Sequence, residues 1–270
     1  MTVKSININF AHANGFPAQS YRKMFAAFPD HFHVVAKDKY AHDHRFPLVD
    51  HWRNQVDELI EFVENQNLDP DFADRPTYAV GHSFGAVLSY LACCKRPELF
   101  KGLIMLDPPL ITGPASMVFQ LAKRTKLIDK ITPAGLSKIR RRTWHINNDL
   151  VKYFKSKALF KNFDDDCIRD YINAVMHQDE KLLRLNFEVQ VEADIFRTIP
   201  TQLSKHYGQL STGAFLVTGK DSKVCIPKLY KRFLKGNPSM RHTLLDRGGH
   251  MYPLEHPKLV AKTISDLITV

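Results

Sequence analysis

A serine between two glycines is the first chemical signal in the chain. Residues 78–88 read YAVGHSFGAVL, in which Gly81, Ser83 and Gly85 form the pattern G-x-S-x-G. An apolar run precedes this serine and a helical pattern follows it, so the serine falls between a predicted strand and a predicted helix. A serine in that setting occupies a sharp turn that lifts its hydroxyl above the sheet, and the glycines leave room for the turn. The stretch therefore predicts a nucleophile at position 83.

A serine hydroxyl becomes nucleophilic when a base takes its proton and a carboxylate orients that base. His250 follows a predicted strand in LLDRGGHMYPLEHP, and Asp221 follows another in LVTGKDSKV. Both residues come after the serine, with the acid before the histidine. We predict Ser83 as nucleophile, His250 as general base and Asp221 as orienting acid. Asp107, at the end of the predicted strand GLIML, is the alternative acid.

Other polar residues near these segments receive structural interpretations. His82 adjoins the serine but is expected to point away from it and to support the turn, and His256 is expected to begin the last helix. Asp194 and Asp246 are interpreted as surface residues. No metal site and no cofactor are predicted, because the histidines of HFH and AHDH lack metal-ligand spacing. These histidines are His31, His33, His42 and His44.

Strands alternate with helices on both sides of a long interruption. This alternation predicts an α/β protein with an essentially parallel, six-stranded sheet and right-handed crossovers. The predicted strands are 5–12, 31–36, 77–80, 103–106, 214–218 and 241–245. The predicted helices are 21–28, 52–67, 84–95, 229–234 and 257–268.

The interruption covers residues 110–212 and shows mostly helical periodicity. We predict a core of residues 1–109 and 213–270, with a helical cap inserted after the fourth strand. Trp144 and the phenylalanines of the insertion are interpreted either as an acyl-binding pocket or as the packed interior of the cap.

Four motifs give the chain a specific resemblance. They are HANGFP at 12–17, GHSFG at 81–85, TGKD at 218–221 and GGHMYPLEHP at 248–257. With these motifs the chain resembles the α/β-hydrolase superfamily, in the group of serine hydrolases that carry a cap domain. The resemblance covers the sheet segments and implies the same three roles for Ser83, Asp221 and His250.

The resemblance also implies an oxyanion hole, meaning two backbone amides that stabilise negative charge on the reacting oxygen. One amide belongs to Phe84, directly after the nucleophile. The other comes from the loop after the first strand, where the chain departs from the usual His-Gly-x-Pro. Phe16 donates if NGFP is the equivalent segment, and Asn14 donates if His12-Ala13 is; the Gly-Phe-Pro match favours Phe16.

Composition and length fit a globular protein. The chain has 270 residues, of which 44% are hydrophobic and 24% charged. No segment has the roughly 20 apolar residues needed to cross a bilayer, and the first residues lack a signal-peptide pattern. The four cysteines lack metal-ligand spacing and are expected to be reduced, mostly buried thiols. We therefore expect a cytoplasmic protein.

Positive charge is concentrated in the insertion. Residues 123–161 hold twelve basic and two acidic residues, which accounts for the whole net charge of +10. This basic segment is interpreted as a solvated helical face, or as a surface that attracts an anionic substrate or an acidic lipid surface. No zinc-finger spacing or aromatic RNA-binding signature accompanies the charge, so nucleic acid is not expected as a partner.

The function predicted from these residues is hydrolysis of a carboxylic ester or thioester through an acyl-enzyme on Ser83. C–C bond hydrolysis, acyl transfer and cofactor-free peroxidation are alternatives, because a fold does not fix a reaction. A ligand-binding protein without catalysis is a further alternative. The substrate is expected to be a small molecule, anionic or carrying an acyl chain.

Overall fold

One parallel sheet of six strands organises the protein, whose computed structural model describes residues 5–269. The sheet order is β2-β1-β3-β4-β8-β9, and every neighbouring pair is parallel. This confirms the predicted sheet, while residues 1–4 and 270 of the predicted core lie outside the described residues. The strands of the chain are β1 (Ile6–Ala11), β2 (Phe32–Val35), β3 (Thr77–His82), β4 (Gly102–Leu106), β5 (Thr143–His145), β6 (Met176–Asp179), β7 (Leu182–Leu185), β8 (Gly213–Gly219) and β9 (Met240–Leu245).

Apolar side chains cover both faces of this sheet. In β4, Ile104 and Leu106 belong to one buried cluster, whereas Leu103 and Met105 belong to the other. This period of two, with both sets apolar, is typical of a parallel strand that is buried on each face. The α-helices are α1 (Arg22–Phe25), α2 (Arg53–Asn67), α3 (Pro70–Ala73), α4 (Phe84–Lys95), α5 (Pro114–Ala122), α6 (Ile128–Ile131), α7 (Ala134–Lys138), α8 (Leu150–Lys155), α9 (Asp165–Val175), α10 (Val189–Arg197), α11 (Pro227–Gly236), α12 (Tyr252–Glu255) and α13 (Pro257–Thr269).

The chain between β4 and β8 contains α5 to α10 and also a second, smaller sheet. Its three strands are antiparallel in the order β5-β7-β6. The prediction of a helical cap did not include these three strands. Glu180 and Lys181 form the short turn between β6 and β7, and Glu180 takes a φ of 52°. That turn lacks the Asn-Gly or Asp-Gly pair that marks a hairpin in a sequence.

Aromatic rings join this insertion to the loop after β1. The Phe16 ring lies 5.0 Å from the ring of Tyr171, 5.7 Å from that of Phe160 and 6.0 Å from that of Phe163. All four side chains are buried. Beside them, the Lys23 ammonium contacts the Asp164 carboxylate at 2.6 Å. These rings therefore form a packed interior between the inserted segment and the core, the second interpretation of the aromatic residues.

Candidate active site

The turn between β3 and α4 holds Ser83 in an unusual backbone conformation, with φ 54° and ψ −115°. A Cβ at Gly81 would lie 2.3 Å from the Gly85 carbonyl oxygen, and a Cβ at Gly85 would lie 2.1 Å from the Ala11 carbonyl oxygen. Real Cβ atoms do not approach backbone this closely, so both positions require glycine. The glycines therefore let α4 begin directly against β1, with the serine at the tip of the turn.

Three side chains meet at this turn. Ser83 Oγ lies 3.0 Å from His250 Nε2, and His250 Nδ1 lies 2.6 Å from Asp107 Oδ2. Because a carboxylate only accepts, Nδ1 carries the proton and donates to Asp107. Nε2 is then the acceptor for the serine hydroxyl. This tautomer is the one in which His250 can take the proton of Ser83.

The acid in this arrangement is Asp107, and the prediction of Asp221 is contradicted. Asp221 is exposed, and its backbone amide donates to the Gly248 carbonyl at 3.0 Å. Asp107 follows β4 and Asp221 follows β8, so neighbouring parallel strands bring both residues to one sheet edge. Asp107 alone turns toward the ring. Its backbone has a φ of 45° and is held by a hydrogen bond from its amide to the Val217 carbonyl oxygen.

Burial and hydrogen bonding define the surroundings of Asp107. Its side chain is fully buried, and Ser222 donates to the same Oδ2 atom at 2.6 Å. Burial raises the pKa of the Cys225 thiol and the Tyr252 phenol, and the negative charge of Asp107 raises both further. The His250 side chain is 22% exposed, whereas that of Asp107 is not exposed at all.

A second hydrogen-bonded chain lies directly beneath these residues. His82 Nε2 donates to the backbone carbonyl of His250 at 2.9 Å, and Tyr21 donates to His82 Nδ1 at 2.7 Å. The backbone amide of Ala13 in turn donates to the Tyr21 oxygen at 3.2 Å. Burial, followed by the nearby His250 ring, holds the pKa of His82 well below its usual value, which keeps that ring neutral.

Of the two side chains in this hydrogen-bonded series, only His82 was predicted from the sequence to have a supporting role. His82 points away from the serine and supports the turn, as expected. Tyr21 carried no signal, because a tyrosine in a predicted helix is ordinarily read as packing. These hydrogen bonds connect the loop after β1, the turn at Ser83 and the loop at His250 to one another.

The loop after β1 corrects the preference for Phe16 as an oxyanion donor. The Phe16 amide donates to the Ala13 carbonyl at 3.0 Å, which closes a turn and uses that donor. Within residues 5–269, the backbone amides of Asn14 and Phe84 have no protein acceptor. The Asn14 side chain donates to the Glu192 carbonyl at 2.8 Å, so α10 holds this loop in place. The arrangement favours the second reading of the loop, with Asn14 as the donor.

Residues 5–269 contain no group of three or more His, Cys, Asp or Glu side chains arranged to hold a metal ion. Over the same residues, no helix combines the length and the apolar character needed to cross a membrane.

A family comparison agrees with this geometry. Residues 10–263 match the model of the alpha/beta hydrolase family. The chain belongs to the alpha/beta hydrolase family. Among curated proteins it is 21% identical to the monoglyceride lipase of Rattus norvegicus, over 85% of this chain and 71% of the relative. It is 23% identical to the uncharacterized hydrolase YugF of Bacillus subtilis, over 99% of this chain and 96% of the relative.

Among solved structures, the chain is similar to E-2-(acetamidomethylene)succinate hydrolase. The TM-score is 0.79 at 17% identity, covering 99% of this chain and 92% of that structure. Structural similarity at 17% sequence identity shows that the two proteins share a fold. The names of these relatives support hydrolysis as the general class of activity.

Proposed function

We propose that the protein is a serine hydrolase that cleaves a carboxylic ester or thioester. The proposal rests on the contacts of His250, which lies between the Ser83 hydroxyl at 3.0 Å and the buried Asp107 carboxylate at 2.6 Å. A neutral imidazole between a hydroxyl and a carboxylate is the arrangement that makes a serine nucleophilic.

In the proposed reaction, Ser83 Oγ attacks the substrate carbonyl carbon while its proton passes to His250 Nε2. The imidazolium then gives this proton to the leaving alcohol or thiol, and an acyl-enzyme remains on Ser83. Water adds to the acyl carbon while its proton passes to His250, which then returns a proton to Ser83 Oγ as the acid is released. Asp107 stays ionised throughout and stabilises the positively charged ring.

The negative oxygen of each tetrahedral intermediate needs hydrogen-bond donors. We assign this role to the backbone amides of Phe84 and Asn14. Phe84 begins α4, so the positive end of the helix dipole adds to its amide. Losing one such donor typically costs about 3 kcal/mol of transition-state stabilisation.

A fluorophosphonate probe tests the nucleophile directly, because it reacts covalently with an activated serine. We expect wild type to be labelled and Ser83→Ala to remain unlabelled. Equal labelling of the two proteins would overturn the proposal.

Two aspartates make a matched pair for the acid. Asp107→Asn should slow labelling and lower kcat/KM on a p-nitrophenyl ester by about 10⁴-fold, because an amide favours the wrong imidazole tautomer. Asp221→Asn, at the exposed residue on the neighbouring strand end, should change kcat/KM less than about twofold. The reverse ranking would contradict the assignment of the acid.

A panel of esters and thioesters of graded acyl length addresses the bond that is cleaved. We expect turnover on at least one chain length with Ser83 required. Labelling of Ser83 without turnover on any ester or thioester would count against this proposal, in favour of C–C hydrolysis or acyl transfer on the same residues.

A further inference from the structure

Residues 113–139, directly after the strand that carries Asp107, expose an unusual number of apolar side chains. Seven of the twelve large apolar side chains that are exposed in the described part of the chain lie here. We call the exposed surface of residues 113–139 the lid face. Its apolar members are Met117, Val118, Leu121, Leu127, Ile131, Leu136 and Ile139, with exposed fractions between 39% and 77%.

Short helices organise these side chains. Met117, Val118 and Leu121 are one helical turn apart at most on α5, and Leu136 and Ile139 are three residues apart at the end of α7. Residues spaced by three or four share one side of a helix. The backbone of α7 packs closely on α6, where a Cβ at Gly135 would lie 2.7 Å from the Asp129 carbonyl.

Basic side chains accompany the apolar ones. Arg124, Lys126, Lys130 and Lys138 are exposed, and none of them pairs with an acidic residue among residues 5–269. Asp129 is the single acidic residue of this segment, and it is bound by Arg197 at 2.6 Å. The lid face is therefore positively charged as well as apolar.

The rest of the basic segment differs from the lid face. Outside the lid face, Arg140 pairs with Glu192 and Lys155 pairs with Asp165, while Lys123, which lies within residues 113–139, pairs with Asp50. Arg141 stacks over the Trp144 and Tyr153 rings. Residues 140–161 also hold exposed cations without an acidic partner among residues 5–269, namely Arg142, Lys152, Lys157 and Lys161, but only Ile146 and Leu159 are exposed large apolar side chains there. Exposed apolar side chains beside such cations are thus concentrated in residues 113–139.

We propose that the lid face docks the protein on an anionic phospholipid surface. Aliphatic side chains next to unpaired cations match the two parts of such a surface, the acyl boundary and the negative headgroups. The exposed large apolar side chains of this face are all non-aromatic, and its one aromatic residue, Phe119, is partly buried against the core, so the face offers little ring surface for stacking on nucleic acid bases. Apolar exposure on this scale in a folded domain marks an interaction surface.

The position of the lid face fits this role. Gly113, where the segment begins, lies against the Arg232 side chain of α11, and Thr112 donates to the Leu229 carbonyl at 3.4 Å. The segment starts six residues after Asp107, at the sheet edge that carries Ser83 and His250. The lid face therefore begins at the end of the sheet that holds Ser83, Asp107 and His250.

The experiment measures co-sedimentation with large unilamellar vesicles, using the Ser83→Ala protein so that no lipid is consumed. Binding is therefore independent of the proposed hydrolysis. One vesicle is pure phosphatidylcholine, and the other contains about 30% phosphatidylserine. We expect at least about tenfold stronger partitioning onto the anionic vesicle, weakening as NaCl rises from about 0.05 to about 0.5 M.

Two variants separate the charged and apolar contributions. Arg124→Gln/Lys126→Gln/Lys130→Gln should weaken partitioning at least about tenfold, since each cation contributes about fivefold at an anionic surface. Met117→Ser/Leu121→Ser/Leu136→Ser should weaken it to a similar degree, because the apolar side chains no longer enter the acyl boundary. Circular dichroism and the melting temperature should match those of the parent, since all six side chains are exposed.

Matched controls come from the opposite edge of the sheet, where the strands begin. Lys101→Gln/Lys235→Gln/Arg241→Gln removes three exposed cations there, and Leu68→Ser removes an apolar side chain that is 80% exposed. Both controls should bind like the parent. Absence of binding to the anionic vesicle, or equal loss in the control and lid variants, would overturn the proposal. Binding that survives the apolar substitutions unchanged would also overturn it, and would indicate an acidic macromolecule as the partner.

Discussion

Two of the three reacting residues are held by a backbone that non-glycine residues rarely adopt. Ser83 has φ 54° and Asp107 has φ 45°. Each such residue costs on the order of 1–3 kcal/mol and persists where its surroundings fix it. Here the Ser83 amide donates to Leu106 and the Asp107 amide donates to Val217, both at 2.9 Å. The sheet edge thus holds Ser83 and Asp107 in place before any ligand arrives.

At the same scale, the Tyr21 hydroxyl gives a testable prediction. Tyr21→Phe removes the bond to His82 and the acceptor for the Ala13 amide, so the His250 loop and the loop after β1 lose a shared support. We expect kcat on an ester substrate to fall about tenfold, equivalent to about 1.4 kcal/mol, with KM nearly unchanged. The measurement is steady-state kinetics on purified protein.

Tyr90→Phe is the matched control for that prediction. Tyr90 is equally buried, and its hydroxyl proton is shared between the His206 carbonyl oxygen at 3.0 Å and Asn237 Oδ1 at 3.1 Å; neither of these residues hydrogen-bonds to Ser83, Asp107 or His250. Both variants should lose about 1–3 kcal/mol of unfolding free energy. Only the Tyr21 variant should lose kcat; an equal effect on kcat in both would show that Tyr21 acts through stability alone.

The incorrect prediction of Asp221 instead of Asp107 as the partner of His250 also has its cause at the scale of single residues. Asp107 and Asp221 each follow an apolar strand, so the sequence places both at the same sheet edge. What distinguishes them is the direction of the backbone after the strand, which Asp107 takes from its left-handed φ and from contacts with β8. Local patterns do not encode such a long-range choice, whereas Ser83 and His250 were marked by the glycines around them.

At the scale of elements, the contact between α4 and β1 is the closest backbone approach near the site. Gly85→Ala would place a methyl group 2.1 Å from the Ala11 carbonyl oxygen. Because backbone has to move to relieve this overlap, we expect a loss of more than about 3 kcal/mol in unfolding free energy. Urea denaturation provides the measurement.

Gly213→Ala serves as its control, because no atom lies within 4 Å of a Cβ at that position. Its unfolding free energy should stay within about 0.5 kcal/mol of wild type. Comparable destabilisation by both substitutions would show that the α4–β1 contact is not what requires glycine at position 85.

The six strands of the large sheet were predictable because each is a short apolar run bounded by polar or turn residues. The strand 103–106, for example, is observed as Gly102–Leu106. The strands of the small sheet were missed for the opposite reason. β6 reads MHQD and has no buried residue, so it carries neither an apolar run nor an alternation. Such a strand forms because β7 pairs with it, and pairing partners are not visible in a local pattern.

For the whole molecule, buried neutral histidines predict how stability depends on pH. Burial lowers the pKa of His12 from its ordinary value of 6.5 to about 4. The unfolded chain therefore binds a proton below pH 6.5 that the folded protein does not bind. Stability from this residue is complete above that pH and decreases as the pH falls toward 4, by about 2 kcal/mol at about pH 5.

Urea unfolding of wild type and His12→Asn at about pH 7 and about pH 5 measures this contribution. Asparagine keeps a donor for the Ala13 carbonyl, which His12 contacts through Nδ1 at 2.9 Å. Wild type should lose about 2 kcal/mol more than the variant between the two pH values. Parallel losses would show that His12 is protonated in the folded protein at the lower pH.

The order of the strands has a consequence for protein synthesis. Ser83 and Asp107 follow the adjacent strands β3 and β4, so both are made within the first half of the chain. His250, the proposed base, follows β9. This strand lies at one edge of the large sheet and comes after the other described strands in the sequence. Domains begin to fold from the amino terminus while the ribosome is still extending them. Under the proposed function, Ser83 of a nascent chain would therefore lack its base until β9 and the loop that follows it have been synthesised and have docked on β8.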